Sequence, residues 1–148
     1  MLKPLSLAYG GVLALRNALY DHNFVTTYIP TQRCISVGNL AVGGTGKTPA
    51  VEYLLRYLQT LDPATTGEIA TLSRGYGRKT TGFRIANSAD SATTIGDEPL
   101  QLFRNFAPAI TITVGERRAD SLRQLAVDHP EIKTVVLDDA YQHRAVQP

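Results

Sequence analysis

The stretch Ile35-Ser36-Val37-Gly38-Asn39-Leu40-Ala41-Val42-Gly43-Gly44-Thr45-Gly46-Lys47-Thr48 decides the fold, because an apolar run leads into a glycine-rich turn that closes on Gly-Lys-Thr. Glycines let several backbone N–H groups converge on one anion. The lysine brings a positive charge to the β- and γ-phosphates, and the next hydroxyl is an oxygen ligand for Mg²⁺. The stretch predicts a phosphate-binding loop, or P-loop, for a nucleoside triphosphate, formed by Gly43, Gly44, Thr45, Gly46, Lys47 and Thr48.

One position departs from the P-loop pattern G-x-x-x-x-G-K-[ST], because its first glycine falls on Ala41. Alanine is the mildest such change, and the glycines inside the turn keep the backbone freedom that the loop needs. Residues 34–37 predict a short buried strand before the loop. After the loop, apolar residues recur with the spacing of a helix, at Val51, Leu54, Leu55 and Leu58. Pro49 suits the first turn of that helix. The order strand, glycine turn, helix is the one that aims a helix N-terminus at phosphate.

Length and composition set the broad class. The chain has 148 residues, of which 43% are hydrophobic, so it can bury a core, and its length suggests one domain. Its formal net charge of +2, from 15 basic and 13 acidic residues, predicts no nucleic-acid partner. The single cysteine, Cys34, excludes an internal disulfide framework and is expected in the core rather than as a nucleophile.

Residues 1–30 form a separate N-terminal segment, and residues 31–148 form the predicted P-loop domain. The segment is rich in apolar residues, but Lys3, Pro4, Arg16 and Asn17 interrupt it, so it does not reach the roughly 18 to 20 apolar residues of a spanning helix. An amphipathic helix is the better interpretation. Two alternatives stay open: the helix packs on the domain, or it lies in a membrane interface with Lys3 and Arg16 near the headgroups.

Further strands and helices alternate along the rest of the chain. Strands are predicted at residues 68–73, 109–114 and 134–139, with a short edge strand at 83–86 and a polar loop at 87–94. Helical patterns follow Asp97 and Arg118. This alternation predicts an α/β fold of the P-loop NTPase type, with a mostly parallel sheet flanked by helices.

Polar residues follow several of these strands, where α/β sheets bind ligands. The run Arg74-Gly75-Tyr76-Gly77-Arg78 is either an anion-binding loop or a solvated turn. Asp97 caps a short helix, acts in catalysis, or does both. Asp138 and Asp139 end the last strand and, together with Thr48, are the predicted Mg²⁺ ligands. His129 is expected at a helix end on the surface.

Five runs together resemble one family. They are SVGNLAVGGTGKTP, LSRGYGR, GDEP, VGERR and VLDDAYQHR, and in this order and spacing they are similar to the tetraacyldisaccharide 4'-kinases of lipid A synthesis. The resemblance implies a kinase that uses ATP and Mg²⁺ to phosphorylate the 4'-hydroxyl of a tetraacylated glucosamine disaccharide 1-phosphate. It also implies a peripheral position at the cytoplasmic face of the bacterial inner membrane, held there through the N-terminal helix.

The resemblance also implies roles for single residues. It places Lys47 and Thr48 on ATP and Mg²⁺, Asp138 and Asp139 in the acidic strand-end motif, and Asp97 as the group that helps the acceptor hydroxyl lose its proton. Lys47, Asp97, Asp138 and Asp139 are therefore the expected catalytic residues. Five residues in strand-end loops are expected to face the substrate, namely Arg74, Tyr76, Arg78, Arg117 and Arg118. His143 does not match the family's catalytic histidine by position.

Chains of that family continue past the DDAYQHR run, so the resemblance implies that these 148 residues are the N-terminal part of a longer kinase and are inactive when isolated. Two alternatives to the lipid kinase stay open on the residues alone. One is a P-loop kinase for a soluble metabolite. The other is a nucleotide-hydrolysing switch, for which the usual Asn-Lys-x-Asp guanine motif is not found in this sequence.

Overall fold

A computed structural model describes residues 18–19, 22, 24, 27–38, 47–61, 63–138 and 145–147. Within them, five strands form one sheet: β1 Arg33–Val37, β2 Ile69–Ser73, β3 Arg84–Ile85, β4 Thr111–Val114 and β5 Thr134–Asp138. Their order across the sheet is β1-β5-β2-β4-β3. In this spatial order, β1, β5, β2 and β4 pair in parallel with their neighbours. β3 pairs antiparallel with β4 at the edge of the sheet. The predicted α/β fold with a mostly parallel sheet is confirmed.

Helices cover both faces of this sheet. They are α1 Lys47–Leu61, α2 Ala92–Ile95, α3 Asp97–Phe106 and α4 Arg118–Asp128, with a 3₁₀ turn at Pro63–Glu68 before β2. β1 ends at Val37 and α1 begins at Lys47, so the glycine-rich stretch joins the first strand to the first long helix, as the sequence predicts.

The two faces hold separate hydrophobic clusters because successive strand residues point to opposite sides. In β5, Val135 and Leu137 pack with Leu122 and Leu125 of α4. Val136, between them, belongs to the other cluster, whose helical members are Val51, Leu55, Leu102 and Phe106 of α1 and α3. This alternation fixes which strand-end side chains face α3.

Several predicted boundaries differ from the structure. Glu68 closes the 3₁₀ turn, so β2 begins at Ile69. The edge strand is limited to Arg84–Ile85, and β4 begins at Thr111. The N-cap of α3 is Gly96 rather than Asp97, which is the first helical residue. A glycine fits this cap because its φ of 96° and ψ of 159° lie in a region that side-chain-bearing residues avoid.

The predicted polar loop at 87–94 contains an ordered network around Asp90, and α2 begins inside it. The carboxylate of Asp90 accepts hydrogen bonds from Arg84 Nη2 at 2.9 Å, Thr94 Oγ1 at 2.8 Å and the Asn87 N–H at 3.0 Å. Burial alone would raise the pKa of Asp90, but these donors and the charge of Arg84 hold it below its usual value. A buried charged carboxylate therefore anchors this segment.

Among the described residues, no helix is long and apolar enough to cross a bilayer. The predicted amphipathic helix of residues 1–30 falls largely outside the described residues and stays a prediction.

Candidate functional site

A cavity of about 620 Å³ opens at the carboxyl ends of β2 and β5, beside the beginning of α3. Its described lining is Ser73, Arg74, Gly75, Tyr76, Asp97, Glu98, Pro99 and Asp138. Four residues that the sequence singles out, Arg74, Tyr76, Asp97 and Asp138, therefore meet at one place. Parallel sheets bind ligands at this end of their strands, so this cavity is the candidate active site.

The floor of the cavity comes from the ends of two neighbouring strands. Leu72 of β2 pairs with Leu137 of β5, so Ser73 and Asp138 follow at the same level. They point to the same face, since residues at one level of parallel strands do so. Both side chains are buried. On the other side of β5, Val37 of β1 pairs with Asp138, which puts the end of the first strand next to this carboxylate.

Arg118 lies behind this floor instead of facing the cavity. Its guanidinium is buried and donates a hydrogen bond from Nη2 to the main-chain carbonyl of Asp138. The resemblance implies a substrate contact for Arg118, whereas the structure shows it fixing the end of β5. The reason is that Arg118 is the first residue of α4, which packs on the sheet from the opposite face.

The first turn of α3 supplies two exposed carboxylates to the cavity. Asp97 and Glu98 stand at the helix N-terminus, where the helix dipole favours negative charge. Thr48 Oγ1, in the first turn of α1, donates a hydrogen bond to Glu98 Oε1 at 3.2 Å. The start of the helix that follows the glycine-rich stretch is thus in contact with the cavity. Sequence analysis missed Glu98 as a site residue. Its position beside Asp97 in the GDEP run is the signal that could have identified it.

The loop after β2 contributes Arg74 and Tyr76, both exposed, to the cavity rim. Tyr76 is 95% exposed, so its ring is free to contact a ligand. Arg78, in the same loop, has a different environment from the one that the resemblance implies. Its side chain is only 2% exposed and forms an ion pair with Glu116.

The contacts of Arg78 are structural. Its guanidinium also donates to the carbonyl of Gly82 at 2.7 Å, and Glu116 accepts the N–H of Gly82 at 3.0 Å. Burial alone would raise the pKa of Glu116, but hydrogen bonds from its own N–H, from Arg78 and from Gly82 hold it below its usual value. The pair therefore ties the loop after β2 to the loop after β4.

Arg117 lies at the beginning of α4 and pairs with Asp120, with 2.9 Å between Nε and Oδ2. Its side chain is largely exposed, and it is absent from the described lining of the cavity. The structure thus leaves Arg117 on the surface near the site, with its charge shared by a neighbouring carboxylate.

Several predicted residues fall outside the described part of the chain. They are Gly43, Gly44, Thr45, Gly46, Asp139 and His143, together with the side chain of Lys47. Their roles stay predictions. The structure does describe Val37, which ends β1, and Thr48, in the first turn of α1. Val37 pairs with Asp138 and Thr48 donates a hydrogen bond to Glu98, so both lie next to cavity residues.

The described oxygen donors suit a hard cation. Thr48 Oγ1, the Glu98 carboxylate and the Asp138 carboxylate are the oxygen ligands that Mg²⁺ accepts. In the part of the chain that the structure describes, no group of three His, Cys, Asp or Glu residues could hold a metal ion by itself. Mg²⁺ at a nucleotide does not require one, because it binds one or two carboxylates together with phosphate oxygens and water.

Two further residues lie away from the cavity. Cys34 in β1 is half-buried against the cluster on the α4 face, and burial raises the pKa of its thiol to about 11. A thiol with such a pKa is a poor nucleophile at neutral pH. His129 caps the C-terminus of α4, where its Nδ1 lies 2.8 Å from Glu131 Oε1.

The mostly parallel sheet, the glycine-rich connection from β1 to α1 and the acidic end of β5 define an α/β protein of the P-loop nucleotide-binding class. A family model described as tetraacyldisaccharide-1-P 4'-kinase matches residues 1–148. The chain belongs to this family.

Curated relatives support the assignment. The chain is 43% identical over 148 residues to the tetraacyldisaccharide 4'-kinase of Bacteroides thetaiotaomicron, covering 99% of this chain and 37% of the relative. It is 42% identical over 146 residues to that of Cytophaga hutchinsonii, covering 99% of this chain and 40% of the relative. The chain thus spans about two fifths of the length of these relatives.

A solved structure has the same fold. It is described as the "apo" form of LpxK from Aquifex aeolicus in complex with ATP, and it superposes with a TM-score of 0.81 at 35% identity. The match covers 99% of this chain and 45% of that chain.

Proposed function

We propose that the protein is an ATP-dependent kinase that phosphorylates the 4'-hydroxyl of tetraacyldisaccharide 1-phosphate, the lipid A precursor. One observation carries the proposal: Arg74, Asp97, Glu98 and Asp138 surround one cavity, and Thr48 connects that cavity to the helix that follows the glycine-rich stretch. The family supplies the identity of the acceptor, since its relatives carry that activity in their names. The related Aquifex aeolicus structure, which contains ATP, supports ATP as the donor.

The chemistry agrees with the residues in the cavity. Phosphoryl transfer depends mostly on positioning and on stabilising charge, with a carboxylate to orient and deprotonate the attacking hydroxyl. Asp97 is exposed in the cavity and is our candidate for that carboxylate. Arg74 on the rim supplies positive charge toward a phosphate group.

Thr48, Glu98 and Asp138 are the described residues that would hold Mg²⁺ with the nucleotide, and Asp139 is a further predicted ligand. The ion, when bound, neutralises charge that develops on the transferred phosphoryl group. Holding Thr48 and Glu98 in contact before ligand binding lowers the cost of assembling such a site.

The test is transfer from labelled ATP to the tetraacylated disaccharide 1-phosphate by the intact natural protein. We expect Lys47→Ala and Asp97→Asn each to reduce transfer by about 100-fold or more, because each removes a charge or proton acceptor from the reacting centre. A matched control is Asp128→Asn, which changes a carboxylate at the far end of α4. Wild-type transfer by both site variants would contradict the assigned roles.

The same assay decides between the proposal and its alternatives. Phosphorylation of a soluble sugar or coenzyme, with none of the lipid acceptor, would identify a metabolite kinase. Hydrolysis without any acceptor, and displacement of a bound ATP analogue by GTP, would identify a nucleotide-dependent switch. A lipid kinase is expected to prefer ATP and to need the acceptor for turnover.

We also propose that residues 1–30 bring the enzyme to the surface of the inner membrane from the cytoplasmic side. The amphipathic sequence of this segment and the acylated nature of the proposed substrate support the idea. Liposome sedimentation of the intact protein and of a variant lacking residues 1–30 tests it. Equal sedimentation of the two proteins would contradict it.

A further inference from the structure

Ser73 carries a buried hydroxyl that has no role in the proposed phosphoryl transfer. The residue is 6% exposed and lines the floor of the cavity. Among the described residues, its Oγ has no hydrogen-bond partner. A buried polar group without a partner is costly, and one on the floor of a cavity points to a ligand that completes it.

Main-chain hydrogen bonds fix the side of the sheet on which the Ser73 side chain lies. The main-chain carbonyl of Ser73 accepts the N–H of Gly115 at 2.8 Å, and its strand is paired on both sides. The backbone of Ser73 therefore cannot turn its Cα–Cβ bond to the other face without breaking the sheet. At the same level of the neighbouring strand is Asp138, whose side chain lies on the same face and borders the same cavity.

We propose that Ser73 is a positioning residue of the metal–nucleotide site, with its Oγ accepting a hydrogen bond from a water molecule of the hydrated Mg²⁺ beside Asp138. This inference rests on the proposed function. Mg²⁺ gives up its waters reluctantly and usually keeps several of them when it binds carboxylate and phosphate. Those waters are strong donors, and a buried hydroxyl next to a metal-binding carboxylate is a suitable acceptor.

Thr71 provides an internal comparison. It lies two residues earlier in β2, so it points to the same face, and its Oγ1 also has no hydrogen-bond partner among the described residues. Thr71 is 1% exposed and is not part of the described cavity lining. The two hydroxyls thus share strand, face and burial, and differ in access to the cavity.

The experiment compares Ser73→Ala and Thr71→Val in the intact natural protein, since each change removes a hydroxyl with little change of shape. Binding of a non-hydrolysable ATP analogue is measured by calorimetry across a Mg²⁺ titration and in excess chelator. Thermal unfolding without nucleotide is measured in parallel. We expect Ser73→Ala to weaken Mg²⁺-dependent binding by about 10-fold, since hydrogen bonds to charged groups have this strength, and to leave binding in chelator unchanged.

Thermal unfolding distinguishes a role of Ser73 in positioning the bound cation from a role in stabilising the fold. Because both hydroxyls are unsatisfied without ligand, both variants should keep or raise the midpoint of thermal unfolding. Thr71→Val should bind the analogue like wild type at every Mg²⁺ concentration. This pattern would support a role for Ser73 toward the hydrated cation.

Failure of the inference and failure of the proposed function give different results. If the wild-type protein showed no Mg²⁺-dependent binding of the analogue, the proposed function would be wrong. If wild type bound and Ser73→Ala bound equally well, the inference about Ser73 alone would be overturned. It would also be overturned if Ser73→Ala lowered the unfolding midpoint and weakened binding equally with and without Mg²⁺.

Discussion

Gly75 and Gly96 meet through their main chains at the wall of the cavity. A Cβ placed on Gly96 would lie 3.2 Å from the carbonyl carbon of Gly75 and 3.0 Å from the carbonyl oxygen of Tyr76. A Cβ on Gly75 would lie 2.7 Å from the carbonyl oxygen of Ile95. This contact joins the loop that carries Arg74 and Tyr76 to the helix start that carries Asp97, so it determines how far apart the two walls of the site stand.

Replacing Gly96 with alanine should separate these walls. The φ of 96° is strained for alanine, and the new methyl group would press on main-chain atoms that cannot move independently. We expect Gly96→Ala to lower the free energy of unfolding by about 3 kcal/mol and to weaken nucleotide binding. Chemical denaturation and calorimetry measure the two effects.

Gly77→Ala is the matched control for this change. Gly77 also has a positive φ, of 76°, but a Cβ there would meet nothing within 4 Å. Its cost should be limited to backbone strain of about 1 kcal/mol, with nucleotide affinity preserved. Equal effects of the two substitutions would show that the Gly75–Gly96 contact is unimportant.

The buried guanidinium of Arg78 depends on Glu116 for its counter-charge. Glu116→Gln keeps the shape of the side chain but leaves this guanidinium without a carboxylate. Because Glu116 is partly exposed, we expect a loss of about 1–3 kcal/mol at neutral pH, less than for a fully buried pair. Urea denaturation measures it, and Asp120→Asn, in an exposed ion pair, should cost much less.

The same pair predicts a pH dependence. The pKa of Glu116 is lower in the folded protein than its usual value of 4.5, so its stabilising contribution is complete above that value and is lost as the pH falls through the folded pKa. The difference in unfolding free energy between wild type and Glu116→Gln should therefore be constant well above pH 4.5 and shrink as the pH falls below that value. A difference that stayed constant would show that the charge of Glu116 does not contribute.

Cys34 should react slowly with alkylating reagents. Its pKa is raised by burial from 9.0 to about 11, so about 100-fold less thiolate is present at neutral pH than in an unfolded chain. Since the sequence has one cysteine, mass spectrometry of iodoacetamide labelling follows this site alone. The native rate should rise with pH up to about 11, and fast labelling of the native protein at pH 7 would contradict the assignment.

Local patterns in the sequence were sufficient for much of the fold. The apolar run before the glycine turn, the helical spacing from Val51 to Leu58 and the alternating strands each depend on neighbours within a few residues. Asp138 could be predicted for the same reason, since it ends an apolar strand. Strand order was not predicted, because it depends on how distant segments pair.

Contacts between distant segments explain what sequence analysis missed at the site. Thr48 and Glu98 are 50 residues apart in the chain, and Arg78 and Glu116 are 38 apart. A basic residue after a strand looks the same in sequence whether it faces a ligand or a buried carboxylate. Arg78 and Arg118 were therefore assigned to substrate, whereas the fold uses both to hold strand-end segments in place.

The contact between Thr48 and Glu98 leads to the last prediction. If Glu98 helps to hold the metal–nucleotide complex, Glu98→Gln should raise the Mg²⁺ concentration required for half-maximal binding of an ATP analogue by about 10-fold, because an amide replaces a charged oxygen ligand. Glu131→Gln is a suitable control, since Glu131 is exposed and precedes β5, at the opposite end of that strand from Asp138. Unchanged Mg²⁺ dependence in Glu98→Gln would limit the role of this carboxylate to the hydrogen bond that it accepts from Thr48.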